Sequence, residues 1–548
     1  ASNPDEWFTL LKALSRPPLE PRWRRAVLCA PLLSTRAGAL LAKVSETLWA
    51  DDAVLLGELM LSMRTIEVEP NPSALDATLF PDYDDVTRMQ LAHAWAVPRL
   101  RSWRHFFPWL IRQLDRIPAR HVDEATRVLE SWAQSWRWFP AWAASPIAAW
   151  SRGWLARIER QRGRESYEDV RALLEQMGVE RDDEAALRER LQLQILTAAH
   201  GAPDQVAAHL QEIRSRPHYE GAEFFIRNAN WLVGSMPAEL VDFLLAVMCR
   251  DFNNDDSRRW PYGDLNELGI EFEGEFSPAS HLRPPFLFLL RQHPDQGLRL
   301  INGLCNHAMA VWRVTLEDER SATPLPVRIR FSWGERLFWG HAREYTWFRG
   351  TGPGPYPVES ALMALEVWLE EQVATGVDME ALFHRVLDDN QCVGVLGACI
   401  SVALANPERA LKAVLPLAAS PQLWHWDMQR RMQEHGDSMS NVIGLPRDRI
   451  FLREVAKRNR LPHRQRMLRE LAFYYVLDRD QSLRADLRQR LSDLEGDDLP
   501  FDFAEQRQEP ALSDELRERI HRMHAELSPE NYSAHHDEAE QRLLIQYT

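Results

Sequence analysis

A short punctuation recurs along the 548 residues of this chain and limits what the chain can fold into. An apolar helical run ends in His, Asn or Ala, and then Pro and an acidic residue open a second run. One copy centres on His293-Pro294-Asp295 and another on Asn406-Pro407-Glu408, with a looser one at Ala202-Pro203-Asp204. Proline suits the first position of a helix, where the N–H it lacks has no partner to lose. An acidic side chain one residue later faces the positive end of the helix dipole. Each copy therefore predicts the corner of a helical hairpin, and repeated hairpins stack to bury faces that no single one covers. The expected fold is mainly α, a HEAT/TPR-like α-solenoid with one small β-hairpin insertion.

The length exceeds what one compact core supports, so the chain needs several domains or one elongated repeat body. Hydrophobic residues at 45% and charged residues at 26% exclude a disordered chain. A net charge of −15 argues against broad nucleic-acid binding and against anionic membranes. Lysine occurs only at Lys12, Lys43, Lys412 and Lys457. We read the dominance of arginine as the coding bias of a GC-rich bacterial genome, although guanidinium also suits planar, bidentate contacts. Cys29, Cys249, Cys305, Cys392 and Cys399 are scattered and form no C-x-x-C pair, so neither a disulfide framework nor a zinc site is expected. A reducing cytoplasm fits that usage. The longest apolar run, residues 392–405, is far too short to span a membrane. No signal peptide is visible, and the opening on Ala rather than Met reads as a piece of something longer.

Apolar spacing divides the chain into five parts. Residues 1–163 read as N-terminal helical repeats, with helices at 5–14, 21–30, 34–49 and 51–65, a polar break at 67–84, and a kink or break at Phe107-Pro108. Six tryptophans, Trp132, Trp136, Trp138, Trp142, Trp150 and Trp154, are expected to pack neighbouring hairpins rather than to form an interface. Residues 164–325 read as middle repeats with an acidic loop from Asp251. Residues 326–357 form the β-hairpin insertion, 358–461 further repeats, and 462–548 a C-terminal helical block broken near 496–510.

Catalytic spacing is sought and not found. No lysine follows a glycine as a phosphate-binding loop requires, and the zinc-protease and nucleophile-elbow patterns are absent. The Asp251-Phe252-Asn253-Asn254-Asp255-Asp256 run resembles the start of a calcium loop. However, it places Asp256 where the turn needs Gly and Tyr262 where Glu should bind. His536-Asp537 is the dipeptide of metal phosphohydrolases without the downstream Asp, and reads as a solvated tail. His293 and His307 read as capping or packing groups. No catalytic residue, metal ligand or cofactor is expected.

The segment from Pro326 to Pro357 departs from the helical rule. Val327-Arg328-Ile329-Arg330-Phe331 alternates strictly, and Leu337-Phe338-Trp339 answers it across Ser332-Trp333-Gly334-Glu335. With Val327, Ile329 and Phe331 facing the body, Arg328 and Arg330 project outward. Arg343, Trp347, Phe348 and Arg349 follow, then a Gly- and Pro-rich turn and a helix from Val358 or Glu359. The candidate binding residues are Arg328, Arg330, Trp339, Arg343, Trp347, Phe348 and Arg349. Such a surface suits a protein, a nucleotide or single-stranded nucleic acid. The competing reading is an exposed hairpin that fills a gap in the array.

Trp339-Gly340, Trp347-Phe348-Arg349-Gly350 and Ser360-Ala361-Leu362-Met363-Ala364-Leu365-Glu366 resemble the C-terminal region of large bacterial STAND-type ATPases of antiphage defence. Arg36-Ala37-Gly38 and Thr65-Ile66-Glu67-Val68-Glu69-Pro70-Asn71 are similar to the same kind of protein. The resemblance implies a helical-repeat sensor that follows a nucleotide switch and an effector, both missing from this sequence. The expected function is thus a non-catalytic, protein-binding sensor or scaffold. Its partner would be a phage protein or an ATPase or effector domain of the same system. The rivals are a general bacterial adaptor in a multiprotein complex and an enzyme whose dispersed site leaves no linear motif. A cleft of carboxylates or histidines with strongly shifted pKa would favour the enzyme.

Overall fold

The computed structural model of the protein describes residues 100–117, 119–136, 139–162, 184–216, 221–250, 268–320, 323–350, 354–436, 449–478, 481–494, 499–537 and 542–547, with the short stretches 68–69, 88–89 and 97–98. The helices expected within 5–65, most of the polar break at 67–84, the loop at 251–256 and Cys29 lie outside the described residues. The fold is mainly α, built of helical hairpins of the solenoid kind with a small inserted β-hairpin. Two compact units divide the chain: Ala1–Phe224 with Gly234–Met236, and Phe225–Val233 with Pro237–Thr548.

In the first unit, β1 (Val68–Glu69) pairs antiparallel with β2 (Val97–Pro98). Helices α1 (Leu100–Gln113), α2 (Val122–Trp136), α3 (Ala141–Arg162), α4 (Glu184–Thr197) and α5 (Pro203–Arg214) follow. Helix α4 lies against α2 and α3. Val122, Ala125, Val128 and Leu129 form the buried stripe of α2. Polar groups that this packing buries are matched: Gln194 donates to the Thr126 carbonyl at 3.0 Å and accepts from the Ser151 hydroxyl at 2.7 Å. Pro108 stands inside α1 without ending it, so of the expected kink or break the break does not occur, and Phe107 beside it is buried. Of the tryptophans, Trp150 is buried and edge-on to half-buried Trp154 at 6.4 Å, whereas Trp142 is 54% exposed. Trp138 and the side chains of Trp132 and Trp136 lie outside the described residues.

The second unit contains α6 (Pro237–Met248), α7 (Phe286–Gln292), α8 (Pro294–Arg320), β3 (Val327–Phe331), β4 (Gly334–Phe338), α9 (Ala342–Tyr345), α10 (Tyr356–Ala374), α11 (Met379–Leu387), α12 (Val393–Ala405), α13 (Pro407–Ala418), α14 (Pro421–Gly436), α15 (Arg449–Asn459), α16 (Leu471–Leu477), α17 (Gln481–Ser492) and α18 (Pro510–Glu526). All three predicted corners are present, with Pro203, Pro294 and Pro407 each the first residue of its helix. The α7–α8 corner is tight: a Cβ on Gly297 would stand 3.0 Å from the Leu290 Cα, so only glycine permits that approach.

Helix α10 is central and touches α7, α8 and α12. Its early start at Tyr356, ahead of the expected Val358, follows from Pro355, whose fixed φ suits the N-cap. Helix α12 is apolar on every side and buried on every side, which explains the longest apolar run as core. Among the described residues no helix is long and apolar enough to cross a membrane. The C-terminal block departs from the helical expectation. After α18 the chain forms β5 (Tyr532–Asp537) and β6 (Arg542–Tyr547), paired antiparallel, so His536-Asp537 lies on a strand at the end of a block expected to be helical. Tyr532 pairs with Tyr547 at one end of this ladder, and Ile545 lies within it, residue types that favour the strand state.

Candidate interaction surface

The β3–β4 hairpin forms because its alternation matches the two-residue period of a strand. Val327, Ile329 and Phe331 are buried and Arg328 and Arg330 exposed, as the pattern predicts. Its turn is tighter than expected: Phe331 pairs with Gly334, leaving only Ser332 and Trp333 in the loop. Gly334, at φ +133°, supplies a conformation that other residues rarely adopt. Trp333 stacks between Phe331 at 4.4 Å and His384 of α11 at 4.5 Å, and Ser332 donates to Glu380 at 2.9 Å. The tip is thereby pinned to α11, so the hairpin is a fixed element.

Arg328, Arg330, Glu335, Leu337 and Trp339 share the outward side by register. Arg330 pairs with Glu335 across the strands at 3.3 Å, and Leu337 stands opposite Arg328 with 42% of its surface exposed. Half-buried Trp339 continues β4, with the Arg313 guanidinium 3.8 Å from its ring centroid. Arg343, on the single-turn helix α9, is also half-buried. Clefts flank the hairpin on both sides. One of about 380 Å³ runs beside β3 and reaches Arg490 of α17, which donates to the Arg330 carbonyl at 2.6 Å. The other, of about 1000 Å³, runs beside β4 towards α8 and residues 388–391.

Trp347, Phe348 and Arg349 do not join this surface. They form a 3-10 turn and are buried, closed by Gly350 at φ +66°. Gly354 lies so close that a Cβ there would stand 2.3 Å from Trp347 Nε1. The turn is held from inside by Arg464, which donates to the Phe348 carbonyl at 3.0 Å. The seven candidate residues therefore separate into an outward group, Arg328, Arg330 and Trp339, the partly covered Arg343, and a core group of three.

Arg464 belongs to a buried ionic knot that the linear reading does not find. Its guanidinium forms a close ion pair with Glu366 of α10, and both side chains are fully buried. Glu366 also accepts from Ser401 at 2.5 Å and pairs with Arg458 at 3.1 Å, and Arg458 reaches Glu370 at 2.9 Å. Burial alone would raise the Glu366 carboxyl, but Arg464 and Arg458 outweigh it and hold the group well below the usual carboxylate range. A second pair, Asp427–Arg430 at 2.8 Å, takes the Tyr345 hydroxyl at 2.9 Å and the Leu468 N–H at 2.6 Å. Arg430 in turn donates to the carbonyls of Arg464 and Arg466. Glu366, Glu370 and His463 bring ligand atoms within 4.8 Å of one another. The Arg458 guanidinium already bridges both of those carboxylates, which gives them a fixed counter-charge.

Other shifted groups also lie in the core. Burial, with the charges of Arg458 and Arg464, pushes His281 down to about 3. Burial, reinforced by Glu273, pushes the Glu359 carboxyl well up. In the larger cleft, Asp388 is lowered by its hydrogen bond to Arg336, an ordinary surface pairing. His293 caps the end of α7, and His307 meets the Gly269 carbonyl at 3.1 Å, so both act in packing. The four described cysteines are free thiols. No family model matches this chain, and no curated protein matches it.

Proposed function

We propose that this chain is a non-catalytic, protein-binding helical-repeat sensor or scaffold whose β3–β4 hairpin makes the contact. On the resemblance of residues 339–366 to STAND-type antiphage ATPases, it is the sensor half of such a system, recognising a phage protein in the cytoplasm. The observation that supports this reading is the fixed hairpin, which holds Arg328 and Arg330 outward between two clefts while the neighbouring aromatics are locked in the core. A preordered surface loses less entropy on association than a loop that must be ordered. Arginine and tryptophan are also the residues that most often dominate contact energies. Among the described residues, acids of the clefts such as Asp295, Glu335 and Asp388 are held in arginine ion pairs, which supports the binding reading over the rival enzyme.

The test is capture from phage-infected cells with the tagged chain and with its Arg328→Ala/Arg330→Ala variant. The wild-type chain is expected to retain one specific phage protein that the variant loses, with the unfolding transition unchanged. Equal capture by the variant removes the hairpin from the contact. Recovery of the bait alone from an established infection overturns the sensor reading.

A further inference from the structure

The hairpin leaves one edge of its small sheet open. In the β3–β4 register the pairs Phe331–Gly334, Ile329–Arg336 and Val327–Phe338 exchange the hydrogen bonds of the hairpin. The backbone groups of Glu335 and Leu337 consequently point away from β3. The Glu335 carbonyl is taken by the guanidinium of Arg336 at 3.1 Å. Leu337 falls in the non-hydrogen-bonded pair with Arg328 and has no backbone partner outside the hairpin among the described residues. One step further, the chain uses this edge itself: Trp339 donates to the Gln391 carbonyl at 2.6 Å and accepts from the Val393 N–H at 3.0 Å, in parallel pairing. The edge of β3, by contrast, is engaged at Arg330 by Arg490.

The larger cleft lies along this open edge, and its charges are matched with two exceptions. Arg336 pairs with Asp388, Arg385 with Asp295, Arg299 with Asp242 and Glu335 with Arg330. Asp389 has no cation among the described residues, but it is exposed. Arg313 is different: it is half-buried, stacked on Trp339, and without a hydrogen bond or ion pair among the described residues. A partly desolvated guanidinium with unused donors is the group whose pairing a ligand would complete.

We infer that an extended acidic peptide adds as a strand to β4 at Leu337 and places a carboxylate on Arg313. This rests on the reading that the hairpin is a protein-binding surface, and it names the form of the partner. Main-chain hydrogen bonds to Leu337 give strand addition its affinity, and alternate side chains give it specificity. Because Leu337 and Trp339 lie on one side of the strand, the peptide needs an apolar residue across from Leu337. An acidic residue must lie two positions away, beside the Arg313–Trp339 stack.

Two blocked, fluorescein-labelled decapeptides with Val-Thr-Glu and Glu-Thr-Val centres cover both strand directions, and lysine replaces glutamate in the controls. Anisotropy with the full chain is expected to show one glutamate peptide binding at least ~10-fold tighter than its lysine control. Leu337→Pro removes the outward N–H without touching the bonds inside the hairpin, and is expected to weaken binding ~10-fold or more. Arg313→Gln is expected to abolish the glutamate preference alone. Methylating alternate peptide nitrogens should abolish binding to the unaltered protein, which covers the case of a poorly folded proline variant. The inference is overturned if neither glutamate peptide binds, if methylation or Leu337→Pro is without effect, or if lysine serves as well as glutamate. Loss of phage-protein capture in Arg328→Ala/Arg330→Ala with full capture in Leu337→Pro would leave the sensor reading standing and remove this one.

Discussion

Arg464 and Arg328 place the same functional group in opposite settings within one compact unit. Around Arg464 the guanidinium is fully buried, and Glu366, Asn459 and the Phe348 carbonyl take up its donors. Around Arg328 and Arg330 the side chains are exposed, Arg330 in an ion pair with Glu335, on a strand whose other side supplies the packing. The buried region ties α10, α12 and α15 together, with Glu366 shared between Arg464 and Arg458. The exposed region adds little to folding. Arginines of one sequence thus stand in two environments, and burial, not composition, separates them.

The largest expected effect breaks the buried side of the comparison. Arg464→Ala strands Glu366 and should destabilise the unit by roughly 3–5 kcal/mol in denaturant unfolding. Arg464→Met with Glu366→Met should recover most of that loss, because a dry apolar pair leaves no stranded charge. A small loss in the single variant would mean that Arg458 alone suffices for Glu366.

Acid should expose the same region. His281 is neutral when folded, with its value lowered from the ordinary 6.5 to about 3. The unfolded chain therefore binds the extra proton first. Stability attributable to His281 is complete above pH 6.5 and falls by about 1.4 kcal/mol per pH unit towards the folded value. His281→Gln should flatten that slope between pH 6.5 and 4, read from unfolding midpoints; an unchanged slope would show that other groups carry it.

Glu359 works in the opposite sense. Its carboxyl is raised by burial, so the fold favours the neutral acid, and stability is lost as pH rises from the ordinary carboxylate range to the raised value. Glu359→Gln should then stabilise the protein by roughly 1–3 kcal/mol at pH 8 and by nothing measurable at pH 4. Equal effects at the two pH values would contradict the burial account.

The smallest effect belongs to the exposed side. Arg328→Ala and Arg330→Ala should each change stability by no more than about 0.5 kcal/mol. A loss comparable to that of Arg464→Ala would erase the distinction between the two regions.

The outward placement of Arg328 and Arg330 was legible because a strand ties position to side every second residue. Trp347, Phe348 and Arg349 offered no such handle. A three-residue turn has no period, and its burial depends on Arg464, 116 residues away. Glu366 has no local signal of its role, because its partners Arg458 and Arg464 lie about 90 to 100 residues further along the chain. The turn is shorter than alternation alone implies, with only Ser332 and Trp333 in the loop, and Trp333 stacks on His384, a contact that local sequence does not announce. The terminal strands were missed for a related reason: β5 is polar in sequence, and its pairing with β6 decides its state.

The helical corners have a consequence for chain length. His293 alone separates α7 from α8, and Asn406 is at once the end cap of α12 and the start cap of α13. Because a helix advances about 100° per residue, a single residue added at either place would swing the next apolar stripe away from the core by more than a quarter turn. Leu300, Ile301 and Leu304 after one corner, or Ala410 and Val414 after the other, would lose their burial together. Each corner thus acts as a phase lock on the residue count between its two helices.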